Sequence, residues 1–308
     1  MTQVTSDSSL ASEGNPVMGV VWMVVTGLCF VAVTATVKHL GDAVPAAQAA
    51  FLRYLLGLVF LLPMLGTLLR MRPGWKETAL FSARGLVHAL GVILWFFAMT
   101  RISIAEVTAM NYLSPVYVAI GAAFFLGERL AARRIAAIVV ALLGALIILR
   151  PGFREVSPGH LAMLGTAVLF AISYLIAKRM SAASSASMVV AMLSIWVTIG
   201  LAPFAAAVWV TPTLEQLAWL FLVAIFATGG HFTMTLAFKA APLTVTQPIT
   251  YLQLVWATAL GALVFGEAVD IWVLLGGGVI MAAITFMTWR EAVLRRRSTT
   301  PAHMATKV

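Results

Sequence analysis

The chain has 308 residues, 62% hydrophobic and only 10% charged. A water-soluble fold of this length needs about 25% charged residues to cover itself, so the composition excludes a soluble globular protein and makes lipid the solvent. The formal net charge of +9 then reads as basic loops facing anionic lipid rather than as a nucleic-acid surface.

A helix needs about 20 apolar residues to cross a bilayer. The hydropathy pattern predicts ten such spans, at 17–37, 46–69, 78–100, 103–126, 131–149, 159–179, 186–209, 214–238, 242–265 and 270–289. Residues 1–16 are polar and carry no Lys or Arg, and the first run is too long for a signal core, so it is expected to be a true span rather than a cleaved leader. It holds the single cysteine, Cys29, which excludes an intrachain disulfide and a cysteine metal site. The third span carries Arg84 and His88, four residues apart on one helical face, followed by Trp95. The fourth is the most polar: Glu106 stands near its start, then Thr108, Asn111, Tyr112 and Ser114 precede Pro115, and Gly127-Glu128 closes it. His231 falls within the eighth span. The ninth writes the fourth again, with Gln247, Thr250 and Tyr251 in the places of Thr108, Asn111 and Tyr112, and Gly266-Glu267 at its end. Leu254 stands where Pro115 does, so a helix break is expected in the fourth span and not in the ninth.

The repetition extends through the chain. At an offset of 140, Gly19 matches Gly159, Thr26 matches Thr166, Phe30 matches Phe170, Lys38 matches Lys178 and Pro63 matches Pro203. At an offset of 139, Gly91 matches Gly230, Ala98 matches Ala237 and Tyr112-Leu113 matches Tyr251-Leu252. Each half has an odd number of spans, five, so related halves must lie in opposite orientations about an axis in the membrane plane. The expected organisation is a tail at 1–16, a first repeat at 17–149, a linker at 150–158, a second repeat at 159–289 and a basic tail at 290–308. With the N-terminus inside, fourteen Lys and Arg residues fall in cytoplasmic segments and four (Lys38, Arg101, Arg150 and Arg154) on the opposite side. That bias predicts an inner-membrane protein with both termini cytoplasmic.

Two five-helix repeats, each with a polar, proline-bearing fourth span and a terminal Gly-Glu, resemble the EamA-type transporters of the drug/metabolite transporter superfamily. The resemblance implies an inverted-repeat bundle around a cavity that opens alternately to each side. Asn111-Tyr112-Leu113-Ser114-Pro115 is similar to a segment of aromatic amino-acid exporters, whereas Arg84-Gly85, with Ala98 and Glu106, is similar to the branch that includes S-adenosylmethionine carriers.

Each candidate residue has two readings. The stripes Thr108, Asn111, Tyr112, Ser114 and Gln247, Thr250, Tyr251 fit either a solute site at the midplane or ordinary interhelical hydrogen bonding. Arg84 fits an anion site or snorkelling to the headgroups. His88 and His231 fit solute contact, proton relay or bundle hydrogen bonding, and Trp95 fits stacking or packing. Glu106 fits ion coupling or compensation of a helix N-terminus. Gly276-Gly277-Gly278 sits within a span and is expected to permit close helix packing. Neither HExxH, a phosphate-loop motif nor a GxSxG elbow occurs, so no catalytic residue, metal or cofactor is expected.

The sequence therefore predicts an all-α integral membrane transporter for a small organic solute. Export of an amino-acid-like compound leads over uptake of a nucleoside-, S-adenosylmethionine- or vitamin-type compound, and a lipid-active membrane protein is the remaining alternative. Expected partners are the solute and membrane lipid, without nucleic acid; a homodimer is the one self-assembly considered.

Overall fold

The computed structural model describes residues 15–64, 66, 70, 73–126, 131–180, 186–241 and 243–299. Among these it contains ten helical segments long and apolar enough to span a membrane, and no β-strand. The protein is all-helical, and its spans form two repeats.

Local chemistry explains the boundaries. Helix α1 (Pro16–Leu40) starts with proline at its first position, and the Asn15 side chain accepts from the Val17 and Met18 amides. It stops at Gly41, whose φ of 58° is a conformation that glycine adopts without steric cost. Helix α2 (Ala46–Gly57) tightens into a 3₁₀ segment, Leu58–Met64, that contains Pro63. Helix α3 (Trp75–Met99) leads to a fourth span made of two helices, α4 (Ile104–Asn111) and α5 (Ser114–Leu126). The first half closes with α6 (Ala132–Leu149).

The second half repeats the order. Helices α7 (Pro158–Met180), α8 (Ala186–Ala207) and α9 (Leu214–Ala240) precede a divided ninth span, α10 (Leu243–Thr250) and α11 (Leu252–Phe265). Helix α12 (Ile271–Thr299) extends beyond the expected end of its span at residue 289.

The expectation of a single break is overturned. Both halves break at their matched tyrosines: the Tyr112 amide donates to Ala109 O and the Tyr251 amide to Pro248 O, each at 3.3 Å, in place of the regular α-helical bond. Pro115 has no amide to offer Asn111, and Pro248 has none to offer Thr244. The two prolines fall at different steps of the repeat: the carbonyl of Asn111 lies at the first break, whereas that of Thr244 lies seven residues before Tyr251.

The halves embrace by exchanging partners. Helix α1 packs along α9 and α3 along α7; α2 packs on α9 and α8 on α3; α2 meets α8, and α6 meets α12. At equivalent crossings, a Cβ on Gly230 would lie 3.4 Å from the Phe30 ring and one on Gly91 would lie 2.8 Å from the Phe170 ring. Phe30 matches Phe170 and Gly91 matches Gly230, so one contact is built twice by a two-fold relation between inverted halves. Helices α6 and α12 approach closely at Gly144 and Gly276, where a Cβ on Gly276 would sit 2.5 Å from Gly144 O.

That crossing yields a prediction. A Cβ at Gly276 meets backbone, which cannot swing aside, whereas one at Gly278 meets open space. Gly276→Ala should lower stability in detergent by about 1–3 kcal/mol, the usual cost of overpacking. Gly278→Ala should be neutral or stabilising by up to about 1 kcal/mol, because alanine is the better helix former. Thermal melts of the two variants check this, and equal behaviour would contradict the close approach.

Candidate functional site

The two helix breaks meet near mid-depth. Helix α4 enters from the end of the bundle that carries the 41–45, 100–103, 150–157 and 266–270 connections, and α10 enters from the opposite end. Each runs eight residues before its break, about 12 Å at 1.5 Å per residue. The rings of Tyr112 and Tyr251 meet edge to face with centroids 6.1 Å apart. The Tyr112 hydroxyl crosses to the other half and donates to Thr250 O at 3.1 Å. The Tyr251 hydroxyl does not reciprocate; it donates to Met281 O at 3.0 Å and also meets the Thr285 hydroxyl.

Other members of the stripes have different fates. Thr108 is buried and donates to its own helix at Ile104 O, 2.8 Å away. Among the described residues the buried Asn111 Oδ1, Ser114 Oγ and Thr246 Oγ1 have no hydrogen-bond partner. Thr250 contributes its carbonyl. The Gln247 side chain, Gly127 and Glu128 lie outside the described residues. Thr246, next to Gln247, was not singled out in the sequence; its orphan hydroxyl adds a second-half polar group to the break.

A second group stands between α3 and α7. The His88 ring stacks on Phe170 at 4.6 Å, and its Nδ1 lies 3.2 Å from Ser173 Oγ. Trp95 meets Phe170 edge to face at 6.2 Å, and its buried Nε1 has no partner. Arg84, only 6% exposed, donates from Nη1 to Val189 O at 2.9 Å. His231 is on α9, an exposed side chain edge-on to Phe30 at 5.1 Å. The sequence-selected residues thus fall into two groups, the paired breaks and an aromatic and basic group along α3, α7 and α9. A cavity of about 370 Å³ is lined by Pro115, Val118, Ala119, Arg134, Tyr174, Ile284, Met287 and Thr288.

Glu106 belongs to neither group. It forms a capping box with Ser103: its carboxylate accepts from the Ser103 amide at 2.8 Å, and its own amide donates to Ser103 Oγ at 3.1 Å. The carboxylate also pairs with Arg154 and lies 3.1 Å from His160 Nε2. Ser157 N donates to His160 Nδ1 at 3.1 Å, so Nε2 is the nitrogen that faces Glu106. Arg154 also reaches Asp270, at 3.4 Å, and Asp270 pairs with Arg150. Beside this network Lys38 pairs with Glu267 and donates to Ile102 O at 2.8 Å, while Glu267 accepts from the Ile104 amide at 3.0 Å. Both halves and the linker are therefore tied together at one end of the bundle. Arg150 holds a left-handed conformation, with φ 43°, as it closes α6 and meets Asp270. Arg150, Arg154, His160 and Asp270 were not selected from the sequence. The one local signal was Ser103-Ile104-Ala105-Glu106, which spells a capping box; its ionic partners are 48 and 54 residues away.

Residues 17–150 and 157–289 each match the EamA-like transporter family. The chain belongs to this family. Among its relatives are a riboflavin transporter of Rhizobium johnstonii, 30% identical over 96% of this chain and 99% of the relative, and an S-adenosylmethionine uptake transporter of Rickettsia bellii, 29% identical over 89% and 94%. A pseudopaline exporter of Pseudomonas aeruginosa is 27% identical over 86% and 94%. This EamA-like protein is thus a multi-pass membrane transporter of a small molecule, from a family of transporters rather than enzymes.

The network yields a prediction for Glu106. Glu106→Gln takes from Arg154 one of its two carboxylates, Asp270 remaining, at a cost of about 1–3 kcal/mol. Glu106→Gln should therefore melt earlier than the parental protein by an amount of that order, with the pH profile of transport unchanged in shape. A variant as stable as the parent whose transport has lost its pH dependence would make Glu106 a coupling residue instead.

Proposed function

We propose that this protein is an inner-membrane secondary carrier that moves a small ring-bearing metabolite of the vitamin or nucleoside type by alternating access, with uptake favoured over export. The observation that carries the reading is the meeting of two inverted helix breaks beside unpartnered polar atoms of Asn111, Ser114 and Thr246. In a bilayer, an unpaired polar group is tolerated where it lines a cavity or meets a ligand, and the midplane of an inverted repeat is where such carriers bind. The amino-acid-exporter reading rested on the Asn111–Pro115 segment. Relatives that carry riboflavin and take up S-adenosylmethionine support the vitamin and nucleoside reading, with the pseudopaline exporter on the other side.

The paired ions give this reading a direction of opening. With both termini cytoplasmic, the Lys38–Glu267 and Glu106–Arg154–Asp270 pairs lie at the periplasmic end, which supports reading that side as the closed one. A periplasm-only reporter fused at Val308 should be silent; activity there would reverse the orientation.

Transport tests the central site. Vesicles containing the protein should accumulate labelled riboflavin or S-adenosylmethionine in exchange for unlabelled compound inside. Asn111→Ala removes a group that both donates and accepts. Loss of one solute hydrogen bond costs about 1–3 kcal/mol, roughly five- to a hundredfold in apparent affinity, with little change in melting temperature. Leu143→Ala, whose side chain is half exposed on the outside of α6, should transport normally. Parental affinity in Asn111→Ala would remove the breaks from the solute site.

A further inference from the structure

Arg84 lies ten residues into α3, about 14 Å from the helix start at 1.5 Å per residue, and is only 6% exposed. It is packed within the bundle, its guanidinium against the first turn of α8 at Val189. Its Nε has no partner, and Nη1 holds only a carbonyl. Arg53, on α2, rests over the Tyr54 ring at 4.0 Å. Arg84 and Arg53 both lie within electrostatic reach of His88, as does His231. Among the described residues no carboxylate pairs with either arginine. Glu106, Glu267 and Asp270 are committed to Lys38, Arg150 and Arg154 at one end of the bundle. A buried cation without an acid is expensive in a membrane and marks a site whose partner comes from elsewhere.

The surroundings describe that partner. Tyr174, within electrostatic reach of Arg84, is 45% exposed and lines the 370 Å³ cavity. Phe170 lies 6.3 Å from Tyr174 and bridges to His88 and Trp95, giving an aromatic wall along α3 and α7. The orphan Trp95 Nε1 adds a donor to it.

We propose that Arg84, assisted by Arg53, is the anion subsite of the solute pathway, and that the transported compound is a flat ring carrying a carboxylate or phosphate, its ring against Phe170 and Tyr174. This rests on the carrier reading above and adds the charge of the solute. A guanidinium holds either oxyanion through charge-assisted hydrogen bonds, and arginine presents several donors in a fixed fork suited to both.

The experiment uses the full-length protein in dodecyl maltoside, which has no phosphate headgroup, so an acid preference seen there comes from the solute. Binding is measured for two matched pairs, nicotinate against nicotinamide and riboflavin 5′-phosphate against riboflavin. The expected result is at least tenfold tighter binding of the acid in one or both pairs; which pair shows it assigns carboxylate or phosphate. Arg84→Gln should reduce the preference below threefold, and Arg84→Lys should retain part of it. Arg53→Gln should act in the same direction and serves if Arg84→Gln does not fold. Equal affinity for acid and neutral compound in both pairs overturns the inference and leaves the ring-carrier reading standing. A preference that survives in both folded Gln variants also overturns it. Binding of no member of either pair removes the ring-carrier reading, and this inference with it.

Discussion

A backbone carbonyl in lipid must find a donor, and the centre of this molecule is arranged around one that does. Thr250 O lies at the end of α10, where the chain turns into α11, and it accepts from the Tyr112 hydroxyl of the opposite half. Without a donor, a broken helix at this depth would carry the full cost of an unsatisfied group in a medium without water. The bond makes the second repeat's break depend on a residue of the first. The edge-to-face contact of the two tyrosines and the exchange of helices between halves follow the same logic.

The broad architecture was legible because membrane chemistry is loud in sequence. Long apolar runs, Gly41 and paired prolines mark where helices can begin and end, and the matches of Phe30 with Phe170 and Gly91 with Gly230 announced the repeat, though not that these residues meet. The break at Tyr251 was not legible. Proline signals a lost amide, but the position of the resulting turn is settled by tertiary partners, and Pro248 and Pro115 act at different steps of the repeat. The surroundings of Glu106 were hidden for a related reason. An acid near a membrane span suggests ion coupling, and only folding brings Arg154 and His160 to it.

The glycines show how little separates a working crossing from a failed one. At Gly144 and Gly276 two long helices touch backbone to backbone, so the last helix of each half is fixed to the other with no side chain between. This leaves the broken spans, rather than α6 and α12, as the parts of each half with backbone freedom. A stiff pair beside two jointed ones suits a bundle that must rearrange around a fixed centre.

The ionic ties have an energetic consequence of their own. The two repeats are related by symmetry, but Glu106 corresponds to Val245 and His160 to Val20, so the Glu106–His160 pairing has no counterpart in the matching positions. An interaction that one half of a two-fold object has and the matching positions of the other half lack biases the balance between its two states. Each 1.4 kcal/mol of bias changes their ratio about tenfold, and a ligand approaching the disfavoured face binds more weakly by the fraction of molecules ready to receive it. The same binding site would thus show different apparent affinities from the two sides of the membrane, without any difference in the residues that touch the solute.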